Sequence, residues 1–161
     1  MKPATHPSAV RIRDLLAAAG IASNVVEFEH SVRTSKEAAD AIGCSAAEIA
    51  KTIVFRAPAD DGAVLVIASG DNRVSEAKIA ALLGEDIGRA DADFVRATTG
   101  YVIGGVSPVG HAKPVRIFLD QDLQRFEIVW AAAGTPHAVF PIAPSALKDL
   151  TGEPWSDVRL D

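Results

Sequence analysis

Two stretches carry residues of the kind that could do chemistry. Lys51 lies in Glu48-Ile49-Ala50-Lys51-Thr52-Ile53-Val54-Phe55, where a capped helix hands over to an apolar strand. An ammonium in that position either snorkels over an apolar floor or offers a point charge to a phosphate. Its place in the chain is compatible with both. The second stretch is Gly104-Gly105-Val106-Ser107-Pro108, uncharged and too broken by glycine and proline for a helix or a central strand. It reads as a rigid turn flanked by two apolar strands, serving either as a tight reversal or as a place where backbone approaches something closely.

Other chemistries lack their patterns. Gly100-x-x-x-Gly104-Gly105 does not have the spacing of a dinucleotide fingerprint, and no Gly-Lys-Ser/Thr ending marks a phosphate loop. Ser107 lies outside a nucleophile elbow and reads as a turn hydroxyl. His6, His30, His111 and His137 form no ligand pattern, and Cys44, the single cysteine, cannot build a thiolate site. No metal or other cofactor is expected. Cys44 sits between a helix stop and a helix cap and reads as a structural thiol. Ser69-Gly70-Asp71-Asn72-Arg73 is a polar turn after an apolar strand, either a plain loop or the rim of a site. Trp130 and Trp155 read as core and closure.

The elements that must position these residues follow from periodicity and punctuation. Ser8 to Ala19 has helical spacing and stops at Gly20. Val25 to Phe28 reads as a short strand. Thr34-Ser35-Lys36-Glu37 and Ser45-Ala46-Ala47-Glu48 each place Glu three residues after a capping hydroxyl, which predicts two short helices separated by Gly43. Lys51 to Arg56 and Val64 to Ala68 read as a hairpin turning at Asp60-Asp61-Gly62, the second strand buried on both faces. Helices are expected over Ser75 to Leu83 and Asp91 to Thr98, stopped by Gly84 and Gly100. Strands are expected at Val115 to Leu119, Phe126 to Trp130 and Ala138 to Ile142, and a last helix opens at Pro144. Strict strand-helix alternation is missing from the second half. The expected fold is therefore mixed α/β (α+β), a curved mixed sheet surrounded by short helices, rather than a doubly wound nucleotide fold.

Composition sets the frame. The 161 residues suffice for a single domain over 1–161. Apolar residues at 48% and charged residues at 23% are ordinary for a globular chain. No apolar run has the length of a membrane span and no secretory signal opens the chain, so a cytoplasmic location is expected and no membrane partner. The net charge of −5 disfavours a grip on a long duplex through its phosphates, and no helix carries a basic reading face for DNA.

Together the stretches "EAADAIGCSAAEIAKTIVFR", "VLVIASGDNRV", "TGYVIGGVSPVG" and "FEIVWAAAGTPHAVFPIAP" resemble the YbaK/ProX family of aminoacyl-tRNA editing deacylases, which is also similar to the editing insertion domain of bacterial prolyl-tRNA synthetases. The likeness runs from about Val25 to Leu150. Its most specific parts are the helix-to-strand lysine, Lys51, and the GxxxP loop, Gly104 to Pro108.

The resemblance implies a hydrolase that clears a wrong amino acid from the 3′ end of a tRNA. It implies that Lys51 holds the terminal adenosine region through phosphate, while Gly104, Gly105, Val106, Ser107 and Pro108 shape the pocket around the aminoacyl carbonyl. Fixed backbone groups can polarise that carbonyl and place a water without titrating, and the vicinal 2′-OH of the substrate can assist. Gly134, Thr135 and His137 border the pocket in such a domain, with Asn72 and Arg73 at its rim. The "AGTPH" form implies alanine or a similarly small residue on tRNA(Pro). Rival expectations are a Cys-tRNA(Pro) deacylase, in which the substrate thiol attacks its own ester, and a non-catalytic module that binds aminoacyl-tRNA or a synthetase. The implied partners are the aminoacyl-tRNA 3′ end and prolyl-tRNA synthetase.

Overall fold

A computed structural model describes residues 1–161. Its spine is the hairpin of β3 (Ile49–Ala57) and β4 (Gly62–Ser69), paired antiparallel from Ala50↔Ser69 to Ala57↔Gly62. β4 is apolar in both alternating sets and is buried on both faces, as expected: Leu65 and Ile67 join the main core, while Val64, Val66 and Ala68 join a second cluster with Ile79 and Val158. Such two-sided burial is what favours β-branched and aliphatic side chains at every position of a central strand.

Around this spine stand β1 (Lys2–Pro3), β2 (Val26–Glu27), β5 (Gly88–Arg89), β6 (Arg116–Asp120), β7 (Val129–Ala132), β8 (Ala138–Ile142) and β9 (Trp155–Ser156). The sheet order is β1-β2-β8-β7-β3-β4-β6-β9, with β5 added to β3. β7 pairs parallel to β3, and β6 parallel to both β4 and β9, while the remaining pairs are antiparallel. The sheet is mixed, as the broken alternation predicts. Five helices pack about it: α1 (Pro7–Ala18), α2 (Ser35–Ile42), α3 (Glu76–Leu83), α4 (Ala92–Thr99) and α5 (Pro144–Thr151). The largest core cluster joins Ile12 and Leu16 of α1 to Leu119, Leu123, Phe140 and Leu147. No helix is long and apolar enough to cross a membrane.

Three expectations are corrected. Ala46–Glu48 is one turn of 3-10 helix rather than an α-helix, because β3 begins at the next residue. The strand expected from Phe126 begins only at Val129: a 3-10 segment occupies Gln121–Arg125, and the Phe126 N–H bonds back to Leu123 O, which leaves Ile128 exposed. The glycine-rich turn is flanked by one strand only. On its upstream side the chain leaves α4, and Thr99 Oγ1 folds back onto Val95 O at 2.6 Å instead of extending.

Candidate active site

A cavity of about 400 Å³ opens where the start of β3, the facing strands β7 and β8, the N-terminus of α2 and the 103–106 loop converge. That is the volume of a small-molecule site. Parallel pairing of Ile49 with Trp130 and of Ala50 with Ala131 brings β3 and β7 side by side at its floor. Phe28, Val32, Ile49, Trp130 and Val139 supply apolar wall, and Ala38, Ala50, Ala132 and Ala138 leave the space open. The N-terminus of α2 is held in the wall by its own sequence. Thr34 Oγ1 accepts from Glu37 N at 3.0 Å, the cap that Thr34-x-x-Glu37 predicts, while Glu37 Oε2 accepts from Arg33 N at 3.0 Å, one residue before the N-cap amide that the pattern would give it.

Lys51 lines this cavity half-buried, and its ammonium is already partly committed. Nζ donates to Asn72 O at 2.6 Å and to Gly70 O at 3.3 Å. The polar turn after β4 therefore receives the lysine, and two of its three protons are spent there. Burial lowers the Lys51 pKa from the ordinary lysine value, with Arg73 adding to that effect and Asp71 and Asp120 opposing it. The turn itself is closed by Asn72 N donating to Ser69 O at 2.9 Å. On its far side stands Asp120, fully buried at the end of β6. Asp120 Oδ2 accepts from Ser69 N at 3.0 Å and from Asn72 Nδ2 at 2.9 Å, and Oδ1 accepts from Asp122 N at 2.9 Å.

The glycine-rich loop is fixed from behind. Tyr101 Oη donates to Val109 O at 2.7 Å, and Arg11 Nη1 donates to Tyr101 Oη at 3.0 Å and to Gly110 O at 3.1 Å. His111 Nε2 lies 2.7 Å from Ser107 O, and burial lowers the His111 pKa, which favours the neutral imidazole. Gly104 holds a left-handed backbone with φ at +86°. A Cβ on Gly105 would lie 2.7 Å from Thr135 C and Cα, so the close backbone approach expected of this loop is made to the 133–137 turn. The cavity-lining Gly104 and Val106 keep their backbone N–H groups free of partners within the chain.

Of the residues singled out in the sequence, Lys51, Gly104 and Val106 meet in the cavity. Gly105, Ser107 and Pro108 are buried behind its surface, with Ser107 Oγ accepting from Val109 N at 3.3 Å as a turn hydroxyl. Gly134 and Thr135 are buried in the turn that supports the loop, and Pro136 rather than His137 reaches the cavity; His137 is exposed. Arg73 is exposed and outside the lining. The Asn72 side chain points away from the cavity, donating from Nδ2 to Asp120 and to Asp122 Oδ2 at 2.8 Å, so its backbone oxygen is what serves the site. Trp130 is cavity wall, not core. Sequence reasoning missed Arg33, Thr34 and Thr52 as well. The capping pattern at Thr34 was the available signal for the first two. Thr52 follows Lys51 directly, lines the cavity, and has a buried Oγ1 with no partner.

No carboxylate, imidazole or thiol lines the cavity. What it offers is the Lys51 ammonium, the Arg33 guanidinium, the hydroxyls of Thr34, Ser35 and Thr52, the Gly104–Val106 backbone and an apolar floor. Such a set can bind an anion and polarise a carbonyl, and it supplies no nucleophile-base pair of its own.

Comparison with known proteins gives the family. Residues 29–150 match the model of the aminoacyl-tRNA editing domain. The chain is 34% identical over 140 residues to YwhH of Bacillus subtilis (strain 168), an uncharacterized protein, covering 86% of this chain and 88% of YwhH. It is 25% identical over 126 residues to EbsC of Enterococcus faecalis (strain ATCC 700802 / V583), provisionally described as a Cys-tRNA(Pro)/Cys-tRNA(Cys) deacylase, covering 78% of this chain and 76% of that one. A crystal structure provisionally described as a trans-editing enzyme for prolyl tRNA synthetase superposes with a TM-score of 0.91 at 41% identity, over 98% of this chain and 100% of the other.

Proposed function

Because the chain belongs to the aminoacyl-tRNA editing domain family and is thus an aminoacyl-tRNA deacylase, we propose that it clears alanine, or a residue as small, from tRNA(Pro). The observation that carries this reading is the composition of the cavity: the Lys51 ammonium, the Arg33 guanidinium and a loop backbone without internal N–H partners at Gly104 and Val106 beside a small apolar chamber lined by alanines.

Lys51 uses its remaining proton on a phosphate of the terminal nucleotides, and this point contact suits a chain whose net charge is −5. The N–H groups of Gly104 and Val106 polarise the ester carbonyl as charge develops on it. They neither titrate nor reorganise, since Tyr101, Arg11 and His111 hold the loop from behind. With no carboxylate or imidazole in the chamber, the substrate's own 2′-OH orients the water and relays its proton to the departing 3′ oxygen, so that attack forms the new C–O bond, breaks the ester and releases the free amino acid and an uncharged 3′ end. Such an enzyme works beside prolyl-tRNA synthetase, in the cytoplasm where tRNA is charged.

The resemblance to EbsC keeps a second substrate in view, Cys-tRNA(Pro). In that reaction the substrate's own thiol, of ordinary pKa near 8.5, attacks its ester and needs less help from a base than water does. The alanine reading rests on the small, alanine-lined chamber. A single-methylene difference is worth only about 1–3 kcal/mol in an apolar pocket, so the two esters are to be compared directly. The mechanistic test is a substrate ending in 2′-deoxyadenosine. Hydrolysis is expected to slow by about 100-fold or more, and an unchanged rate overturns the role of the 2′-OH.

A further inference from the structure

The Ser69–Asn72 turn lies between a cation and an anion. Its carbonyl oxygens, Gly70 O and Asn72 O, face the Lys51 ammonium. Its N–H donors, Ser69 N and Asn72 Nδ2, face the Asp120 carboxylate. We propose that Asp120 is a positioning residue for the deacylation: through this turn it fixes the direction in which Lys51 presents its free proton to the substrate. This rests on the reading of Lys51 as the phosphate-binding group.

A carboxylate is an expensive way to end a strand. Asp120 is fully buried and its three hydrogen-bond partners are all N–H groups, with the Lys51 ammonium acting on it through space, an arrangement that survives only when every bond is made. A neutral side chain would close β6 at less cost. What the anion adds is a fixed charge that orients the peptide dipoles of the turn, with carbonyls directed toward β3 where Lys51 arrives. Further contacts make the turn stiff. Ser69 Oγ donates to Ala47 O at 2.6 Å, tying it to the segment that leads into β3, and Asp122 holds Asn72 from the same side as Asp120. The charged groups that face Lys51 are Asp71 and Arg73 from the turn and Asp120 from β6, with Arg33 elsewhere in the cavity wall.

The test combines two readouts on the full chain: titration of lysine ¹³Cε resonances, with Lys51 assigned by its loss in Lys51→Arg, and kcat/KM for Ala-tRNA(Pro). In Asp120→Asn the Lys51 midpoint is expected to move to lower pH, because a favourable charge is lost, and kcat/KM to fall about tenfold or more. Either readout staying at the wild-type value in a folded Asp120→Asn protein overturns the proposal. Asn72→Ala keeps the carboxylate and cuts the tether, and it carries the test if Asp120→Asn does not fold. Its kcat/KM is expected to fall by about tenfold with the Lys51 midpoint unmoved, and an unaltered kcat/KM overturns the proposal. Lys51→Ala separates the two levels: full activity in that variant defeats the phosphate role of Lys51 itself, whereas loss of activity there with no effect of Asp120→Asn defeats only the positioning role.

Discussion

Lys51 is poised rather than free. Two protons bond to carbonyls of one turn, and burial makes the ammonium easier to deprotonate than an ordinary lysine. The folded protein therefore releases this proton at a lower pH than the unfolded chain. Below the folded value the buried charge costs stability, and that cost is relieved as pH rises toward 10.5. Phosphate binding runs the other way, since it needs the ammonium and is lost over the same alkaline range. Gly105 is the other residue whose identity is dictated by its surroundings. A methyl group there meets backbone, not a side-chain end that can swing away. Gly105→Ala is expected to destabilise the fold by about 1–3 kcal/mol and to reduce activity by shifting Gly104 and Val106, as read by thermal unfolding and deacylation rates. Wild-type behaviour in both would mean the two loops are not in contact. At this scale the local pattern offered Lys51 and the Gly104–Pro108 turn only as candidates, each beside a purely structural alternative, and it was the family resemblance that gave them roles; the structure brings Lys51, Gly104 and Val106 to one cavity. Asn72 was legible only as a polar turn residue. Its carboxylate partner lies 48 positions away, and no local pattern says which way the amide turns.

Helix α2 shows how an element can be read from its ends. Thr34 caps it and Glu37 accepts from Arg33 N just before the cap, so its N-terminus stands fixed in the cavity wall beside Val32 and Arg33. Thr34→Ala is expected to cost about 1 kcal/mol of stability, with Thr34→Ser restoring most of it in chemical denaturation. Equal stability of all three proteins would show that the cap contributes nothing. The caps and glycine stops also located α3 and α4 closely. The same capping pattern at Ser45 misled about length, because the β3 pairing captures the chain after one turn. Phe126 to Ile128 has the composition of a strand, yet the turn from the preceding 3-10 segment uses those residues. β1, β2, β5 and β9 are two residues each; of these only β2 fell within an expected strand, since a period of two cannot show itself in so short a run.

For the molecule as a whole, function depends on sheet order more than on any motif. β3 receives β7 in parallel on one side and β4 antiparallel on the other, and this brings residue 51, the turn at 69–72 and the wall at 130–139 to one end of the sheet. That the sheet is mixed followed from the uneven alternation of elements. Which strands neighbour one another did not, since the β3–β7 pair joins segments about eighty residues apart whose match is made by packing. The cavity that results is lined by no carboxylate, imidazole or thiol, and in the proposed reaction the enzyme lends its substrate an ammonium and a rigid backbone. The measurement that tests this most directly is loss of labelled amino acid from tRNA(Pro) charged in turn with Ala, Cys and Pro, with wild type beside Lys51→Ala. The account predicts rapid loss of Ala, retention of Pro, and a fall of about 100-fold in the variant. Persistence of the Ala ester with wild type, or equal rates with Lys51→Ala, would contradict it.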